Sequence, residues 1–382
     1  MPSIPSTYEP LHIVTPLIYS APLSQHSGHN VFLKLETKQI SGSFKARGIG
    51  RACWAAAHRI GPNAHLVVAS GGNAGLAAAL CSQKLGVKCT VFVHKKTQPP
   101  IIERMKGYGA EVNVSDSGWE TVDRLARECV AADPNAHYVH PFVGEDVVRG
   151  HVSIVDEIYD QLEGAMREAG LENPTDRPDV VSSAVGGGGF IRGIMTGLGE
   201  RAAADGRRPT HVVGVSAMGG DPWGLSLETD HDYVDGANTS LAVSLNCIMC
   251  STLAIDAARQ YARTGSVEGA TPETHGSTAG KDAPYLSSVR ADDAQCGAAA
   301  WQATDELGQP IELSTGAAVV PVYHPQVLEH MIKEKGLPEK LKVIVVVCGG
   351  SRVDEKDIEV FREKYGKGYG QVVVDGAVVV DA

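Results

Sequence analysis

Short apolar runs alternate with amphipathic stretches along most of this chain. The runs have the length of strands, at His65–Ala69, Lys88–His94, Glu111–Val114, Val180–Val185, His211–Ser216 and Leu341–Val347. The stretches between them have the apolar spacing of helices, at Asn73–Leu85, Pro100–Tyr108, Glu120–Ala132 and Phe190–Ala203. This alternation predicts an α/β fold with a doubly wound, mainly parallel sheet, because crossover helices cover both faces of such a sheet.

Two segments depart from this alternation. Residues 264–284 are rich in Gly, Thr and Ser without periodicity, and a segment of that length is either a functional lid or a loop insertion, of which the insertion is favoured. Near the C-terminus, Asp375-Gly376 separates two valine runs, which predicts a β-hairpin.

Composition narrows the function classes. The chain has 382 residues, enough for two domains, and 34 basic against 45 acidic residues give a net charge of −11. That charge disfavours nucleic acid and anionic membranes as partners, and no apolar run has the length of a membrane span. The eight cysteines are spread thinly, which is typical of reduced thiols in a cytoplasmic protein. The spacings Cys247/Cys250, His26/His29 and His137/His140 are weak metal signals, because nothing nearby supplies further ligands.

A lysine motif is the first candidate for chemistry. Lys45 follows Phe44 within Ser41–Gly48, just before a predicted helix. A solvated surface lysine is the ordinary interpretation. The functional interpretation is a Schiff-base lysine, because only a neutral amine is nucleophilic and an apolar neighbour such as Phe44 helps to desolvate it.

A glycine loop is the second candidate. Gly186–Gly189 stands between a buried strand and a helix, where bare backbone N–H groups can hold a phosphate. A tight turn is the alternative, although one glycine would suffice for it. The loop does not fit the dinucleotide pattern G-x-G-x-x-G, since Ile191 and Arg192 stand where the third glycine belongs.

Two further motifs also follow strands. In Cys348–Ser351 the thiol either faces a ligand at the end of the strand or is a core cysteine before a turn. In Ser70–Gly75 the backbone N–H groups form a small nest suited to a carboxylate. Asn73 lies at a helix start, where an N-cap is its ordinary role.

Together these motifs resemble the pyridoxal-phosphate (PLP) enzymes of the tryptophan-synthase-β fold type (fold type II), and most closely the L-serine/L-threonine dehydratases. The resemblance is colinear over nearly the whole chain, through Thr15–Leu17, Leu33–Glu36, Ser41–Gly48, Ser70–Gly75, Pro141-Phe142, Gly150-His151, Gly186–Gly189, Thr315–Ala318 and Cys348–Ser351. Each piece is weak alone, and the order and spacing carry the resemblance.

The resemblance implies a role for each matching residue. Lys45 would be the Schiff-base lysine and the base that removes the substrate Cα proton. The residues that would bind the cofactor are Phe44, Lys45, Asn73, Gly186, Gly187, Gly188, Gly189 and Cys348. The residues that would bind the substrate are Ser70, Gly71, Asn73 and Phe142.

The implied activity is PLP-dependent β-elimination of L-serine or L-threonine, which gives a 2-keto acid and ammonia. The family also implies a cytoplasmic homodimer that works in amino-acid metabolism. Alternatives are a racemase, a β-replacement enzyme, a lyase for another β-substituted amino acid, or a PLP-binding homologue without turnover. Related racemases carry a serine as second base where this chain has Gly71, which favours elimination. Cysteine synthases usually have Ser or Thr where this chain has Cys348.

The family further implies a large domain, here 1–45 and 146–382, with a smaller α/β domain, 46–145, inserted into it. Dehydratases often carry a glutamate that helps to hold a monovalent cation where this chain has Ser216. A cation here is therefore either absent or held mainly by carbonyl groups. Residues 235–284 match the family poorly, so the substrate could differ from serine.

Overall fold

The computed structural model describes residues 7–116, 118–229, 231–234, 238–267, 284–350, 352–366 and 369–381. The strands are β1 Leu17–Tyr19, β2 Asn30–Leu35, β3 His65–Ala69, β4 Lys88–His94, β5 Glu111–Ser115, β6 Ala136–Tyr138, β7 Val180–Ala184, β8 His211–Ala217, β9 Leu286–Ala291, β10 Lys342–Val347, β11 Gln371–Val374 and β12 Ala377–Asp381. The helices are α1 Ala21–Ser27, α2 Lys45–Ile60, α3 Asn73–Leu85, α4 Pro99–Gly107, α5 Trp119–Ala132, α6 Glu145–Glu168, α7 Gly189–Asp205, α8 Pro222–Glu228, α9 Thr252–Thr264, α10 Asp293–Leu307, α11 Leu313–Tyr323, α12 Pro325–Lys335 and α13 Glu355–Tyr365, with a short 3₁₀ turn at Glu36–Lys38.

The described residues form two compact units. The first comprises residues up to Val14 together with Lys38–His151, and the second comprises Thr15–Thr37 together with the residues from Val152 onward. The first unit therefore extends past the predicted small domain, 46–145, at both ends. One physical reason is that Leu11 packs against the core of α2 and α3.

The first unit is built on a four-stranded sheet of order β5-β4-β3-β6, in which every pairing is parallel. Successive residues of β3 point to opposite faces, as the strand period requires. Leu66 and Val68 pack with α2 and α3, whereas Val67 packs with Val122 and Ala126 of α5. Both faces of this strand are therefore covered, which explains its uninterrupted apolar sequence.

The second unit is built on an eight-stranded sheet of order β1-β2-β10-β7-β8-β9-β11-β12. Its five central strands, β2, β10, β7, β8 and β9, are parallel to one another. The carboxyl ends of these five strands consequently lie at one edge, where ligand sites of such sheets are found. The predicted α/β class with mainly parallel sheets is confirmed.

The predicted C-terminal hairpin is confirmed and extends this sheet. β11 pairs antiparallel with β9, and the two-residue turn has positive φ at Asp375 (48°) and Gly376 (82°). The Asp375 carboxylate accepts the backbone N–H of Ser288 at 2.8 Å and pairs with the Lys335 ammonium at 3.0 Å. These contacts attach the hairpin turn to β9 and to α12.

Most of the predicted elements are confirmed with shifts of one or two residues at their ends. β3, α3 and β4 have the predicted bounds. Of the predicted insertion 264–284, residues 268–283 lie outside the described residues, as does Ser351. Among the described helices, none has both the length and the apolar character needed to cross a membrane.

Candidate functional site

Lys45 lies at the start of α2, and its Nζ atom is close to a main-chain carbonyl and an aromatic ring. Its Nζ donates to the Pro141 carbonyl oxygen at 2.7 Å and lies 5.0 Å from the centre of the Phe44 ring. Phe44 and Lys45 are both half-buried. The segment that carries Pro141 and Phe142 therefore lies next to the lysine.

Two histidines near Lys45 are kept neutral. Burial lowers the pKa of His140 to about 4, and the charge of Lys45 adds to this lowering. His140 Nδ1 accepts the backbone N–H groups of Phe142 (3.3 Å) and Val143 (3.0 Å), so it holds the turn after Pro141. Burial also lowers the pKa of His151 well below its usual value, again aided by the Lys45 charge. The lysine therefore has neutral imidazoles nearby.

The Gly150-His151 motif allows α6 to approach α2 closely. A Cβ on Gly48 would lie 2.3 Å from His151 Nε2, and a Cβ on Gly150 would lie 2.4 Å from the Arg47 carbonyl oxygen. The Phe44 and His151 rings are 5.5 Å apart. These two glycines therefore set the packing beneath Lys45.

The Ser70–Asn73 loop joins β3 to α3. The helix begins at Asn73 itself, its N-cap is Gly72, and no side chain caps it. Among the described residues, the buried Asn73 Oδ1 atom has no hydrogen-bond partner. Ser70 Oγ accepts the Gly72 N–H at 3.4 Å. Asn73 therefore does not have the N-cap role, and its side-chain oxygen is left for another group.

The glycine loop follows β7 and leads into α7. Gly188 is the N-cap of α7 with φ 87°, a conformation that favours glycine. A Cβ on Gly188 would lie 2.5 Å from Ala254 Cβ, and a Cβ on Gly186 would lie 2.8 Å from the Leu245 carbonyl oxygen. The loop thus presents main chain alone at a helix N-terminus, whose first N–H groups have no partner within the helix.

The segment that packs behind this loop belongs to residues 235–284, whose sequence matches the family poorly. The Ser251 N–H donates to the Gly187 carbonyl at 3.2 Å, and Cys250 is buried with its Sγ 2.7 Å from the place of a Gly188 Cβ. Cys250 is therefore a packing residue of the loop. In the described part of the chain, no group of three or more His, Cys, Asp or Glu side chains is placed to hold a metal ion.

Cys348 directly follows β10, which neighbours β7 in the sheet, so it lies at the same strand edge as the glycine loop. Burial raises the pKa of its thiol to about 12, which keeps it protonated at neutral pH. A residue that the sequence analysis missed supports the following turn. Glu312 accepts the Ser244 hydroxyl (2.7 Å), the Ser314 hydroxyl (2.9 Å) and the Arg352 N–H (3.0 Å). Its carboxylate also lies 2.0 Å from the place of a Gly350 Cβ.

Ser216 lies near the end of β8 and is in register with Arg290 of β9. The Arg290 guanidinium donates to both Glu228 oxygens (2.7 and 2.8 Å) and to Asp221 (3.1 Å). Ser216 Oγ is buried and has no hydrogen-bond partner among the described residues. The Arg290 guanidinium, held by these carboxylates, therefore lies on the strand next to Ser216. The sequence analysis did not predict it.

Comparison with known proteins agrees with this arrangement. Residues 8–349 match the family described as pyridoxal-phosphate dependent enzyme. The chain belongs to this family.

Individual relatives are more specific. A human protein named "Serine dehydratase-like" is 30% identical over 94% of this chain and 96% of its own length. "Catabolic L-serine/threonine dehydratase" of Saccharomyces cerevisiae is 31% identical over 86% of this chain and 84% of its own. The crystal structure of an L-serine ammonia-lyase from Rhizomucor miehei matches with a TM-score of 0.75 and 27% identity, covering 94% of this chain and 100% of that one.

The residues present fit PLP, the cofactor of this family. Side chains at positions 186 and 188 would collide with Leu245, Cys250 and Ala254, so the loop is main chain alone, and bare N–H groups of this kind can hold a phosphate. Asn73 lies at the start of α3 and has a buried side-chain oxygen. In the described structure this oxygen has no hydrogen-bond partner, so it is available to the cofactor. Cys348 offers an uncharged thiol at the strand edge, which is compatible with a neutral ring nitrogen.

Proposed function

We propose that the protein is an ammonia-lyase that converts L-serine or L-threonine into a 2-keto acid and ammonia by β-elimination. The observation that carries this proposal is the surroundings of Lys45, whose Nζ is held by a main-chain carbonyl at 2.7 Å beside the neutral His140 and His151. A Schiff-base lysine needs its amine held at a fixed place, and the Pro141 carbonyl and the Phe44 ring position the Lys45 Nζ atom at the start of α2. The names and identities of the relatives support the same activity.

The roles of the chain's own residues would be as follows. Lys45 would carry the cofactor covalently and later accept the proton from the substrate Cα. Gly186–Gly189 would hold the cofactor phosphate with backbone N–H groups, and Asn73 and Cys348 would contact its ring. When bound, the cofactor supplies an electron sink for the charge left on Cα.

The substrate would be oriented by its carboxylate. Ser70 and the N–H groups after it would form a nest for this carboxylate at the start of α3, where the helix dipole favours an anion. Phe142 would cover the bound amino acid, and its backbone N–H is already fixed by His140. The hydroxyl group then leaves the β-carbon, and water converts the released product into keto acid and ammonia.

We further propose that the protein acts in the cytoplasm as a homodimer on a small amino acid. The eight cysteines are free thiols, which supports a reducing compartment. Sedimentation of the purified protein would test the dimer: one species of twice the chain mass is expected, and a monomer would contradict it.

The test of the function uses purified protein supplied with PLP and L-serine. The wild type is expected to show the visible absorbance of the bound cofactor and to release keto acid, whereas Lys45→Ala loses both. Lys106→Ala, an exposed lysine of α4, is the matched control. Borohydride reduction followed by peptide mass spectrometry should place the adduct on Lys45. An adduct on another lysine, or turnover by Lys45→Ala, would contradict the proposal.

A further inference from the structure

A largely buried guanidinium lies beside Ser216, where related dehydratases often carry a glutamate for a monovalent cation. Ser216 of β8 and Arg290 of β9 are in register. A Cβ on Gly224 of α8 would lie 2.4 Å from Arg290 Cδ and 3.1 Å from Ser216 Oγ, so both side chains lie next to this glycine. Gly224 therefore leaves the room in which the arginine side chain passes Ser216.

The guanidinium engages the acidic groups around it. It donates to both oxygens of Glu228, at 2.7 and 2.8 Å, and to Asp221 Oδ2 at 3.1 Å. The other Asp221 oxygen accepts the Gly219 N–H at 3.1 Å. The Asp221 side chain is 4% exposed and that of Arg290 is 18% exposed, so solvent screens this pair poorly. A metal cation here would meet a fixed positive charge and carboxylate oxygens that are already bound, so the residues beside Ser216 do not fit one.

Asp221 connects the guanidinium to the turn after β8. Gly219 in this turn has φ 84°, and its carbonyl oxygen accepts the N–H groups of Thr239 (2.6 Å) and Ser240 (3.3 Å). The side-chain amide of Asn246 donates to the Ser240 carbonyl oxygen at 2.7 Å. The turn therefore holds the start of the segment that ends at Asn246.

The end of the same segment packs against the glycine loop. The Leu245 carbonyl oxygen lies 2.8 Å from the place of a Gly186 Cβ, and the Leu245 Cα atom lies 3.0 Å from it. Hydrogen bonds and close contacts thus form a continuous path from Arg290 to the main chain of the glycine loop. A displacement of the turn after β8 would be transmitted to this loop, because closely packed main chain has little room to adjust.

We propose that Arg290 is a built-in cation that replaces a dissolved monovalent cation and positions the glycine loop for the PLP phosphate. It neutralises Asp221 and Glu228 and thereby fixes the turn after β8. The inference rests on the proposed function, since it names what holds the phosphate side of that site. Arg290 is a positioning residue that touches neither substrate nor cofactor. Because its charge is tethered to β9, cofactor binding does not depend on the potassium or sodium concentration.

The first test uses the wild type alone. PLP-loaded protein is diluted, and the cofactor absorbance that remains gives the affinity in about 100 mM KCl and in about 100 mM tetramethylammonium chloride, at equal charge screening. Tetramethylammonium is too large for a site that fits potassium. The two affinities are expected to agree within about threefold. A larger gain in KCl would overturn the proposal, because a dissolved cation would then still be required.

The second test removes the tethered charge with Arg290→Ala. PLP affinity is expected to fall at least about tenfold, because two buried carboxylates lose their cation. Added KCl, or about 20 mM guanidinium chloride, which is too dilute to denature, should restore at least about threefold of the affinity, whereas tetramethylammonium should not. A merely structural loss would not respond to an added ion. Wild-type affinity in Arg290→Ala, or a loss that neither ion restores, would overturn the proposal.

Arg362→Ala is the matched control, since this arginine also pairs with a carboxylate, that of Asp305 at 2.7 Å. Its PLP affinity should equal that of the wild type in every salt. If Arg290→Ala does not fold, Asp221→Ala replaces it, because it breaks the path while Arg290 keeps Glu228. It should lose at least about threefold in affinity, and unchanged affinity would overturn the proposal. A wild type that released no keto acid from L-serine would contradict the proposed function instead, and these measurements, which contain no substrate, would still report on Arg290.

Discussion

The buried ammonium of Lys34 donates to Glu157 at 2.6 Å, and it also donates to the Thr15 carbonyl (2.7 Å) and to Gln161 (2.8 Å). The Lys34 side chain is fully buried and that of Glu157 is 9% exposed. The segment Leu33–Glu36, which contributed to the family resemblance, thus supplies the lysine of a structural ion pair of the second unit. The oxygen atoms that accept its hydrogen bonds compensate the ammonium charge, as burial of such a group requires.

Lys34→Met should destabilise the protein by about 3–5 kcal/mol, because the Glu157 carboxylate stays buried without the ammonium. The double variant Lys34→Met/Glu157→Leu should recover much of that loss, since no charge is left behind. Urea unfolding followed by circular dichroism measures both. Equal losses in the single and double variants would show that the charge pair is not the cause.

Asn73→Ala should separate stability from cofactor binding. The substitution removes a buried oxygen that has no partner in the described structure, so the thermal midpoint of the cofactor-free protein should stay the same or rise. PLP affinity, measured by absorbance titration, should fall about tenfold through the loss of one hydrogen bond. The exposed Asn135→Ala is the control. Unchanged affinity in Asn73→Ala would remove this residue from the cofactor site.

Acid should weaken the first unit through His140. Burial lowers the pKa of His140 from its ordinary 6.5 to about 4, so the unfolded chain binds this proton more readily than the folded one. Stability contributed by the neutral imidazole is complete above pH about 6.5 and declines as the pH falls towards about 4. In His140→Phe the slope of the unfolding free energy against pH should become flatter in this window. An identical slope in both proteins would refute the assignment.

The same variant should also lose about 1 kcal/mol at pH 7, because the Phe142 and Val143 N–H groups exchange the His140 acceptor for water. Urea unfolding at pH 7 measures this loss. A loss at pH 7 without any change of slope would assign His140 a packing role only.

Alkylation should distinguish the buried cysteines from the accessible ones. Cys348 is buried and burial raises its pKa to about 12, so native protein at pH 8 should react there very slowly with iodoacetamide. Cys129 and Cys247 are half-buried and should react first, as seen by peptide mass spectrometry. Denatured protein, in which all eight thiols react, is the control. Rapid modification of Cys348 in the native protein would show that its thiol is accessible to the reagent and not enclosed in a site.

Local patterns were sufficient to predict the elements that surround the site. β3 and α3 have the predicted bounds because a continuous apolar run, a glycine turn and an alanine-rich helix leave little choice locally. The hairpin was predictable for the same reason, since Asp375-Gly376 favours positive φ at both turn positions.

Contacts between distant segments were not predictable in this way. Thr97 meets Gly71 across two loops, and Arg290 comes beside Ser216 only through the register of β8 and β9. Glu312 is separated from Ser244 by 68 residues, and no spacing signal connects them. An N-cap was the ordinary alternative for Asn73 beside its predicted binding role, and only the structure shows that its side chain makes no cap bond.

The C-terminal hairpin also protects the larger sheet from self-association. Without β11 and β12, the backbone of β9 would form an open edge with buried apolar residues such as Leu286 and Val289. Such an edge is a template for cross-strand aggregation between molecules. With the hairpin in place, the outermost strand is β12, and its pairing with β11 has a register shift at Val372/Val373. The strand at the opposite edge, β1, has only three residues. We therefore expect loss of solubility to be the first effect of truncating the chain before Gln371.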